Sequence, residues 1–394
     1  MLHAVRHLGP LFAGLAVAGF VLALLLPAPQ VNFSEIGLGI GTTAAFGKSS
    51  PSRHHCTTVK DAGDCIEAAQ ARKTDQRVLW LGASQLHAIN DMQSGDRTAP
   101  QRLFDGFAPQ GLDLVTFSQP NANFQEHLIL FEYLRSRLAV KGLVLGAVFD
   151  DMRESGVRQS IASALDDPAV RRSLATHAAG RSILVRYGDD QSTPDAVRQD
   201  GKEYAGTPAA TALDGSLQAR VETTVDGWLG DLSRLWRDRG RLRSSIIHGL
   251  RQLRGAAWGL RNRLLGIDSS RWTVAVPRAQ YDVNRKALAA LLDSARAAGV
   301  PVLLYICPRP VDAYFPFAPE RYAAFKDDIA RLAAEKGALL ANLEDAVKGD
   351  VWGRVDNGVG VIVTDVFHFR DAGHAQLAAA LRPYLARQFL GAGK

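Results

Sequence analysis

The sequence predicts an α/β protein with a parallel five-stranded sheet flanked by helices, a mostly helical insertion and one N-terminal transmembrane helix. Three observations lead to this prediction. Short apolar runs alternate with amphipathic stretches, which is typical of the strands and crossover helices of a parallel sheet. This alternation is interrupted between residues 153 and 277. An uncharged apolar run stands near the amino terminus of the 394-residue chain.

The first 30 residues are predicted to be a membrane anchor. No charged residue lies between Leu8 and Leu26, and Arg6 precedes the run, so the segment can just span a bilayer with its basic end in the cytoplasm. A cleaved signal peptide is the alternative, but Pro27-Ala28-Pro29 is a poor cleavage site. Both interpretations place the remainder outside the cytoplasmic membrane, in the periplasm or outside the cell; the anchor makes the protein single-pass.

Residues 31–75 are predicted to be a juxtamembrane connector because they are rich in polar residues and lack a sustained period. Within it, Cys56 and Cys65 are close enough to form a disulfide in an oxidising compartment. The neighbouring His54 and His55 lack a second ligand cluster, so we expect an exposed loop and no metal site. No other cofactor is expected.

The core is predicted to consist of residues 76–152 and residues 278–394, separated by the insertion at 153–277. Apolar runs mark the strands and amphipathic periods mark the helices between them. The predicted strands are Val78–Gly82, Leu112–Phe117, Leu143–Phe149, Val302–Ile306 and Ala338–Asn342, and the predicted helices are Phe124–Leu138, Asn284–Ala298, Pro319–Lys336 and Ala372–Phe389.

The net charge is +6, and a basic stretch lies inside the insertion. Between residues 234 and 263 there are nine arginines and one aspartate, interleaved with apolar residues. One interpretation is an amphipathic surface for an anionic membrane or polymer, and the other is a helix packed on the domain. Nucleic acid is not expected outside the membrane. The candidate surface residues are Arg241, Arg243, Arg251, Arg254 and Trp258.

Two distant segments together predict a catalytic triad. Ser84 follows the first strand, where a hydroxyl is exposed at the carboxyl end of the sheet. Asp365 and His368 are three residues apart before the last helix, so the carboxylate can orient the imidazole that activates the serine. The alternatives are that Ser84 caps a helix, that the later pair is a surface pair, and that His374 is the base.

With the strands placed, the sequence resembles the SGNH (GDSL-type) hydrolase superfamily, in which the nucleophile follows the first strand and Asp-x-x-His precedes the last helix. The segment from Asp365 to His374 looks much like that family's last block, with Asp371 expected as the helix N-cap. The resemblance covers roughly residues 76–152 and 278–394. It implies a three-layer, flavodoxin-like fold and a Ser84-His368-Asp365 triad.

Further features resemble the membrane-anchored DltD-like proteins and the related alginate and cellulose O-acetylation proteins. These features are the single anchor, Gly82-Ala83-Ser84-Gln85, and Cys307-Pro308-Arg309-Pro310 followed by Tyr314-Phe315 and Tyr322. The resemblance implies two partners: a membrane-bound O-acyltransferase, and a cell-envelope polysaccharide or polymer as the acceptor.

The sequence departs from the family where the oxyanion hole is expected. The family's second conserved block corresponds to residues 117–123, which include no glycine. Its third block corresponds to residues 148–151, which include Asp150 and Asp151 where an asparagine is usual. Candidate donors are the amides of Ser84 and Gln85 and the side chain of Asn121 or Asn123. The two aspartates are expected to bind Arg153 or another basic group, or a hydroxylated or cationic part of the substrate.

Three functions remain open from the sequence. The leading one is acetyl or D-alanyl transfer to an envelope polymer through an acyl-enzyme on Ser84. The second is an extracytoplasmic esterase that removes such groups. The third is an adaptor of the acyltransferase machinery that has lost its chemistry.

Overall fold

The structure is a computed structural model that describes residues 42–46, 53–57, 59–154, 156–188, 197–198, 257, 260–266, 273–356 and 362–391. The chain divides into two compact units. The smaller contributes few described residues, among them a helical stretch at 260–264. The larger unit consists of Gly37–Gly201, Arg271–Val355 and Val363–Lys394 and contains the predicted triad.

A six-stranded parallel sheet forms the centre of the larger unit. Its strands are β2 (His55–Cys56), β3 (Gln76–Ala83), β5 (Leu112–Gln119), β6 (Gly142–Ala147), β9 (Val302–Ile306) and β10 (Leu339–Asn342). Their order in the sheet is β10-β9-β6-β3-β5-β2. The prediction of a parallel sheet flanked by helices is confirmed, but the predicted five strands are joined by β2, a two-residue edge strand that is too short to recognise from sequence.

Helices cover both faces of this sheet because its central strands are apolar on both sides. Along β3, Leu79 and Leu81 belong to one buried cluster, and the alternate residues Val78 and Trp80 belong to another. The first cluster includes residues of α1 (Val59–Ala71), α3 (Phe124–Arg135), α7 (Arg278–Ala297) and α8 (Pro319–Lys336), and the second includes residues of α2 (Ala99–Phe107) and α9 (Asp371–Leu385).

Two small pairs of strands flank the carboxyl end of the main sheet. The short β1 (Thr43–Ala44) pairs antiparallel with β4 (Ala88–Ile89), just after Ser84. The longer β11 (Trp352–Asp356) and β12 (Ile362–Phe369) form a separate two-stranded sheet. The predicted Asp-His segment therefore lies on a strand rather than in a loop.

Part of the predicted connector belongs to the core. His55 and Cys56 form β2 on the main sheet, and α1 packs Ala62 and Cys65 into the same cluster as the central strands. The expected exposed loop at His54 and His55 is wrong, because both residues are buried. The polar composition of α1 concealed a narrow apolar face. Cys56 and Cys65 form the expected disulfide, and Cys307 is a buried free thiol.

The described part of the insertion starts as short helices that pack on the main core. Leu165, Val170 and Leu174 are buried in the first cluster. The elements are β7 (Val157–Arg158), α4 (Gln159–Ala162), α5 (Pro168–Leu174), α6 (Ala178–Tyr187) and β8 (Val197–Arg198), which pairs with β7.

Several predictions lie outside the described residues. The anchor at residues 1–30 is among them, and none of the helices in the described ranges is long and apolar enough to cross a membrane. The candidate surface residues Arg241, Arg243, Arg251, Arg254 and Trp258 lie outside as well.

The disulfide is expected to stabilise the edge of the sheet. Replacing both Cys56 and Cys65 with serine should lower the free energy of unfolding by about 2–3 kcal/mol. The disulfide joins residues nine positions apart and so restricts the unfolded chain, and this restriction is lost in the variant. Urea unfolding measures the difference. A reducing agent should destabilise the wild type and leave the double variant unchanged; equal stability of both proteins without reductant would contradict the prediction.

Candidate active site

Ser84 lies where the nucleophile was predicted, directly after β3. It begins a 3₁₀ turn, Ser84–Leu86, at the carboxyl end of the sheet. The turn is tight: a Cβ atom on Gly82 would lie 2.6 Å from Leu86 Cδ1, so the close approach favours glycine there. The turn places the Ser84 hydroxyl at the sheet edge. Ser84 therefore does not cap a longer helix, which was one alternative from the sequence.

The three predicted triad residues meet in a continuous hydrogen-bonded chain. Ser84 Oγ lies 2.8 Å from His368 Nε2, and His368 Nδ1 lies 2.8 Å from Asp365 Oδ2. With its proton on Nδ1, the imidazole donates to the carboxylate and its Nε2 accepts from the serine hydroxyl. The side chains are nearly enclosed, since Ser84, His368 and Asp365 are only 8%, 7% and 3% exposed.

Asp365 is fixed by its own backbone as well as by the histidine. In a regular strand, residues three apart point to opposite faces. Here Asp365 Oδ1 accepts from the amides of Phe367 and His368, at 3.0 and 3.1 Å, so the carboxylate folds back along the chain. This turn brings the acid and the imidazole together within β12.

Asn90 is a neighbour of the triad that the sequence analysis missed. Its Nδ2 donates to Asp365 Oδ2 at 3.2 Å and to the Arg354 carbonyl at 3.0 Å, and its Oδ1 accepts from the Arg354 amide. Its backbone amide donates to the Phe369 carbonyl. A lone asparagine after a short strand carries no motif, so no sequence signal pointed to it.

The side chain of Gln85 links the nucleophile turn to one loop and one strand. Its Nε2 donates to the carbonyls of Pro308 and Phe367, each at 3.2 Å. The side chain therefore holds the loop after β9 and the strand that carries His368. Only its backbone amide stays a candidate oxyanion donor.

The two asparagines predicted as donors have different positions. Asn123 is the N-cap of α3: its Oδ1 accepts from the amides of Gln125 and Glu126, and its Nδ2 donates to the Gly156 carbonyl. Its side chain is therefore committed to the helix, which rules out the predicted donor role. Asn123 and Glu126, three residues apart before an apolar run, form a capping box, which is the sequence signal for this position.

Asn121 stands beside the nucleophile in a backbone conformation that usually requires glycine. The register pairs Ala83 with Gln119, so the loop after β5 adjoins Ser84. Asn121 has φ +48°, and asparagine is among the few residues that tolerate this left-handed region. Arg158 holds the loop by donating to the Gln119 side chain and to the Pro120 carbonyl.

The adjacent aspartates Asp150 and Asp151 differ in environment. Asp150 accepts two hydrogen bonds from Arg153, at 2.8 and 3.0 Å, as one of the sequence interpretations expected. Asp151 is buried, and its Oδ2 has no hydrogen-bond partner among the described residues. Burial, followed by the charge of Asp150, raises the pKa of Asp151 well above its ordinary value.

His374 and Asp371 support the last helix and take no part in the triad. His374 Nδ1 accepts from the Ala99 amide, and its Nε2 donates to the Ala88 carbonyl, so the alternative that His374 is the base is wrong. Asp371 is the first residue of α9 rather than its N-cap, which is Arg370. The Asp371 carboxylate accepts from the Arg97 amide and from Arg102.

A buried histidine pair lies beneath the nucleophile turn. Ser118 Oγ lies 2.6 Å from His55 Nε2 and 2.7 Å from His87 Nδ1. Phe46, two residues after β1, stacks on His87 with ring centroids 5.0 Å apart. The described residues contain no cluster of histidine, cysteine or acidic side chains that could hold a metal ion.

Comparisons with known proteins give only distant structural similarity. No family model matches the sequence, and no curated protein matches it. The structure is similar to that of TesA (15% identity, 79% of this chain and 98% of the other, TM-score 0.35). It is also similar to a GDSL-like lipase from Bacteroides thetaiotaomicron (10% identity, 83% and 96%, TM-score 0.34). A third is phospholipase A1 from Streptomyces albidoflavus (11%, 78% and 98%, TM-score 0.30). Overlaps at this level do not identify a reaction.

The buried histidines should make the folded protein less stable as the pH is lowered. Burial lowers the pKa of His87 to about 3 and that of His127 and His374 to about 4, from an ordinary 6.5. Below pH 6.5 the unfolded chain binds protons that the folded chain does not, so the stability present above pH 6.5 is lost progressively towards pH 4. Urea unfolding across this range measures the loss.

His127→Phe tests one contribution separately. Both ring nitrogens of His127 lack hydrogen-bond partners among the described residues, so phenylalanine should be tolerated at neutral pH. The dependence of the unfolding free energy on pH should become less steep by up to about 1.4 kcal/mol per pH unit. His177→Phe, at a half-buried position, is the control. Identical slopes for His127→Phe and the wild type would refute the assignment of this contribution to His127.

Proposed function

We propose that this protein is a membrane-anchored, extracytoplasmic SGNH-type enzyme that transfers an acyl group through an acyl-enzyme on Ser84. The observation that carries the proposal is the hydrogen-bonded chain from Ser84 through His368 to Asp365. Such a chain provides a nucleophile, a base and an orienting acid in direct contact. It favours a catalytic role over the adaptor that the sequence left open.

The reaction follows from these groups. His368 Nε2 takes the hydroxyl proton as Ser84 Oγ bonds to the carbonyl carbon of an ester or thioester. The tetrahedral intermediate then collapses, the leaving group departs with the proton from His368, and the acyl group stays on Ser84. The proposed donors to the oxyanion are the backbone amides of Ser84 and Gln85 and the side chain of Asn121, because the Asn123 side chain is committed to its helix.

The location outside the cytoplasm is supported by the disulfide between Cys56 and Cys65, since such bonds persist in oxidising compartments. The proposed anchor covers residues 1–30, and β1 beside the nucleophile turn begins at Thr43. The twelve intervening residues can span at most about 43 Å. Ser84 would thus stay close to the membrane and to a membrane-bound O-acyltransferase as acyl donor.

The proposed acceptor is a hydroxyl group of a cell-envelope polysaccharide or polymer, and the acyl group is acetyl or D-alanyl. With water as acceptor, the same triad gives an extracytoplasmic esterase. Confinement near the membrane favours transfer, because it raises the effective concentration of a membrane-bound donor above that of a free ester.

Labelling by a fluorophosphonate probe tests the nucleophile. Full-length protein in detergent should be modified at Ser84, and His368→Ala should slow the labelling at least about 10³-fold, because the base that activates the hydroxyl is lost. Mass spectrometry identifies the site. The exposed Ser163 provides the control, since Ser163→Ala should be labelled at the wild-type rate. An unlabelled Ser84, or a rate independent of His368, would argue against catalysis.

Asn90→Ala tests the support of the triad. A hydrogen bond to a charged group contributes about 1.5–3 kcal/mol, so losing the bond to Asp365 should slow Ser84 labelling about 10- to 100-fold. Asn284 offers a matched control: it is also buried and donates to two carbonyls, those of Met152 and Glu154. Asn284→Ala should lose stability without slowing the reaction. Similar labelling by Asn90→Ala and wild type would count against the role of Asn90.

A further inference from the structure

A cavity of about 340 Å³ lies between the loop after β9 and the β11–β12 pair. This volume is within the range of small-molecule sites. Its walls include Asp312 from the loop, Asp350 and Trp352 at the start of β11, and Arg354 and Thr364 from the two strands. None of these five residues belongs to the triad.

One wall of the cavity is joined to the triad through Asn90. Thr364 directly precedes Asp365, and the backbone of Arg354 is paired in both directions with the Asn90 side chain that also contacts Asp365. Gly353 allows this pairing, because a Cβ atom there would lie 2.0 Å from Asn90 Cγ. The cavity wall and the acid of the triad are therefore held by the same side chain.

The opposite wall is joined to the nucleophile turn. The loop that carries Asp312 begins at Cys307 and Pro308, and the Pro308 carbonyl accepts from Gln85, the residue after Ser84. The same Gln85 nitrogen donates to the Phe367 carbonyl, next to His368. Both walls are thus linked by hydrogen bonds to neighbours of the triad residues.

The lining has an apolar part, which includes Val311 and Trp352, and a charged part that suits hydroxyl groups better than an acyl chain. Asp312, Asp350 and Arg354 are exposed, and within the described residues they form no ion pair. Most other arginines near the sheet edge are paired with acids, as Arg153 is with Asp150 and Arg309 with Glu344. Carboxylates accept hydrogen bonds from sugar hydroxyls, and the guanidinium of an arginine donates hydrogen bonds to hydroxyl oxygens from several N–H groups in a fixed geometry. An alkyl chain here would desolvate these charges without compensation.

We propose that this cavity is a saccharide subsite in which Asp312, Asp350, Arg354 and Thr364 bind the hydroxyls of one sugar unit of the acceptor. The proposal rests on the proposed acyl-transfer function. A neighbouring sugar hydroxyl then reaches the acyl-enzyme and gives its proton to His368 Nε2 as its oxygen bonds to the acyl carbon. The bond from that carbon to Ser84 Oγ breaks, and the proton returns to Ser84.

Direct binding tests the subsite without acylation. Full-length Ser84→Ala protein in detergent is titrated calorimetrically with two probes, cellotetraose and a tetramer of mannuronate, which separate neutral from anionic sugars. At least one should bind, and adding Arg354→Met should weaken its affinity at least tenfold. Asp350→Asn provides a second variant with the same expectation. Arg296→Met, at an exposed helix position, should leave the affinity unchanged.

Two results would overturn the subsite: no binding of either tetrasaccharide, or equal affinity in the Arg354 and Asp350 variants and their parent. Thermal unfolding of each variant checks that it is folded. The burst of nitrophenol from wild-type protein and p-nitrophenyl acetate reports acyl-enzyme formation separately. Its absence would contradict the proposed function, whereas a burst together with unaltered sugar affinity in the variants would contradict the subsite alone.

Discussion

The buried carboxylate of Asp365 is the constraint on which the arrangement of the site depends. A buried charge without partners is expensive, and Asp365 is only 3% exposed. Its oxygens accept from the amides of Phe367 and His368, from Asn90 and from the imidazole. Satisfying the carboxylate therefore fixes the course of β12, and with it the position of the base.

The parallel sheet explains how residues so distant in sequence form one site. Strands of a parallel sheet end at a common edge, so the turn after β3 and the loops after β5, β6 and β9 all lie there. The last helix holds β12 against this edge: His374 is bonded to the backbone of Ala88 and Ala99, and Asp371 is bonded to Arg97 and Arg102. Two histidines with similar sequence settings thus separate into a base and a structural support.

Sequence patterns predicted the regular elements best where their ends are marked. The strand Val302–Ile306 and the helix Pro319–Lys336 have the predicted bounds, because Pro301 precedes the strand, Pro319 begins the helix, and Gly337 ends the helix in the left-handed conformation. Helix α2 and the β11–β12 pair were missed, since short or polar segments lack a clear period. The edge strand β2 is only two residues long and depends on its pairing with β5.

The site was predictable in its nucleophile, base and acid because their spacing relative to strands and helices carries information. Its supporting groups were not. Asn123 and Asn121 are the same residue type two positions apart, yet one caps a helix and the other takes a positive φ. Which oxygen or nitrogen remains available depends on tertiary contacts, such as that of Asn123 with Gly156, which local sequence does not encode.

Asp150 and Asp151 pose an electrostatic objection to catalysis, since a carboxylate close to a developing oxyanion opposes its formation. Their environments reduce this objection. The charge of Asp150 is compensated by two hydrogen bonds from Arg153. Burial raises the pKa of Asp151 and so favours its neutral acid. The carboxylate of Asp365, in contrast, must stay charged. It stabilises the imidazolium that forms when Ser84 gives up its proton.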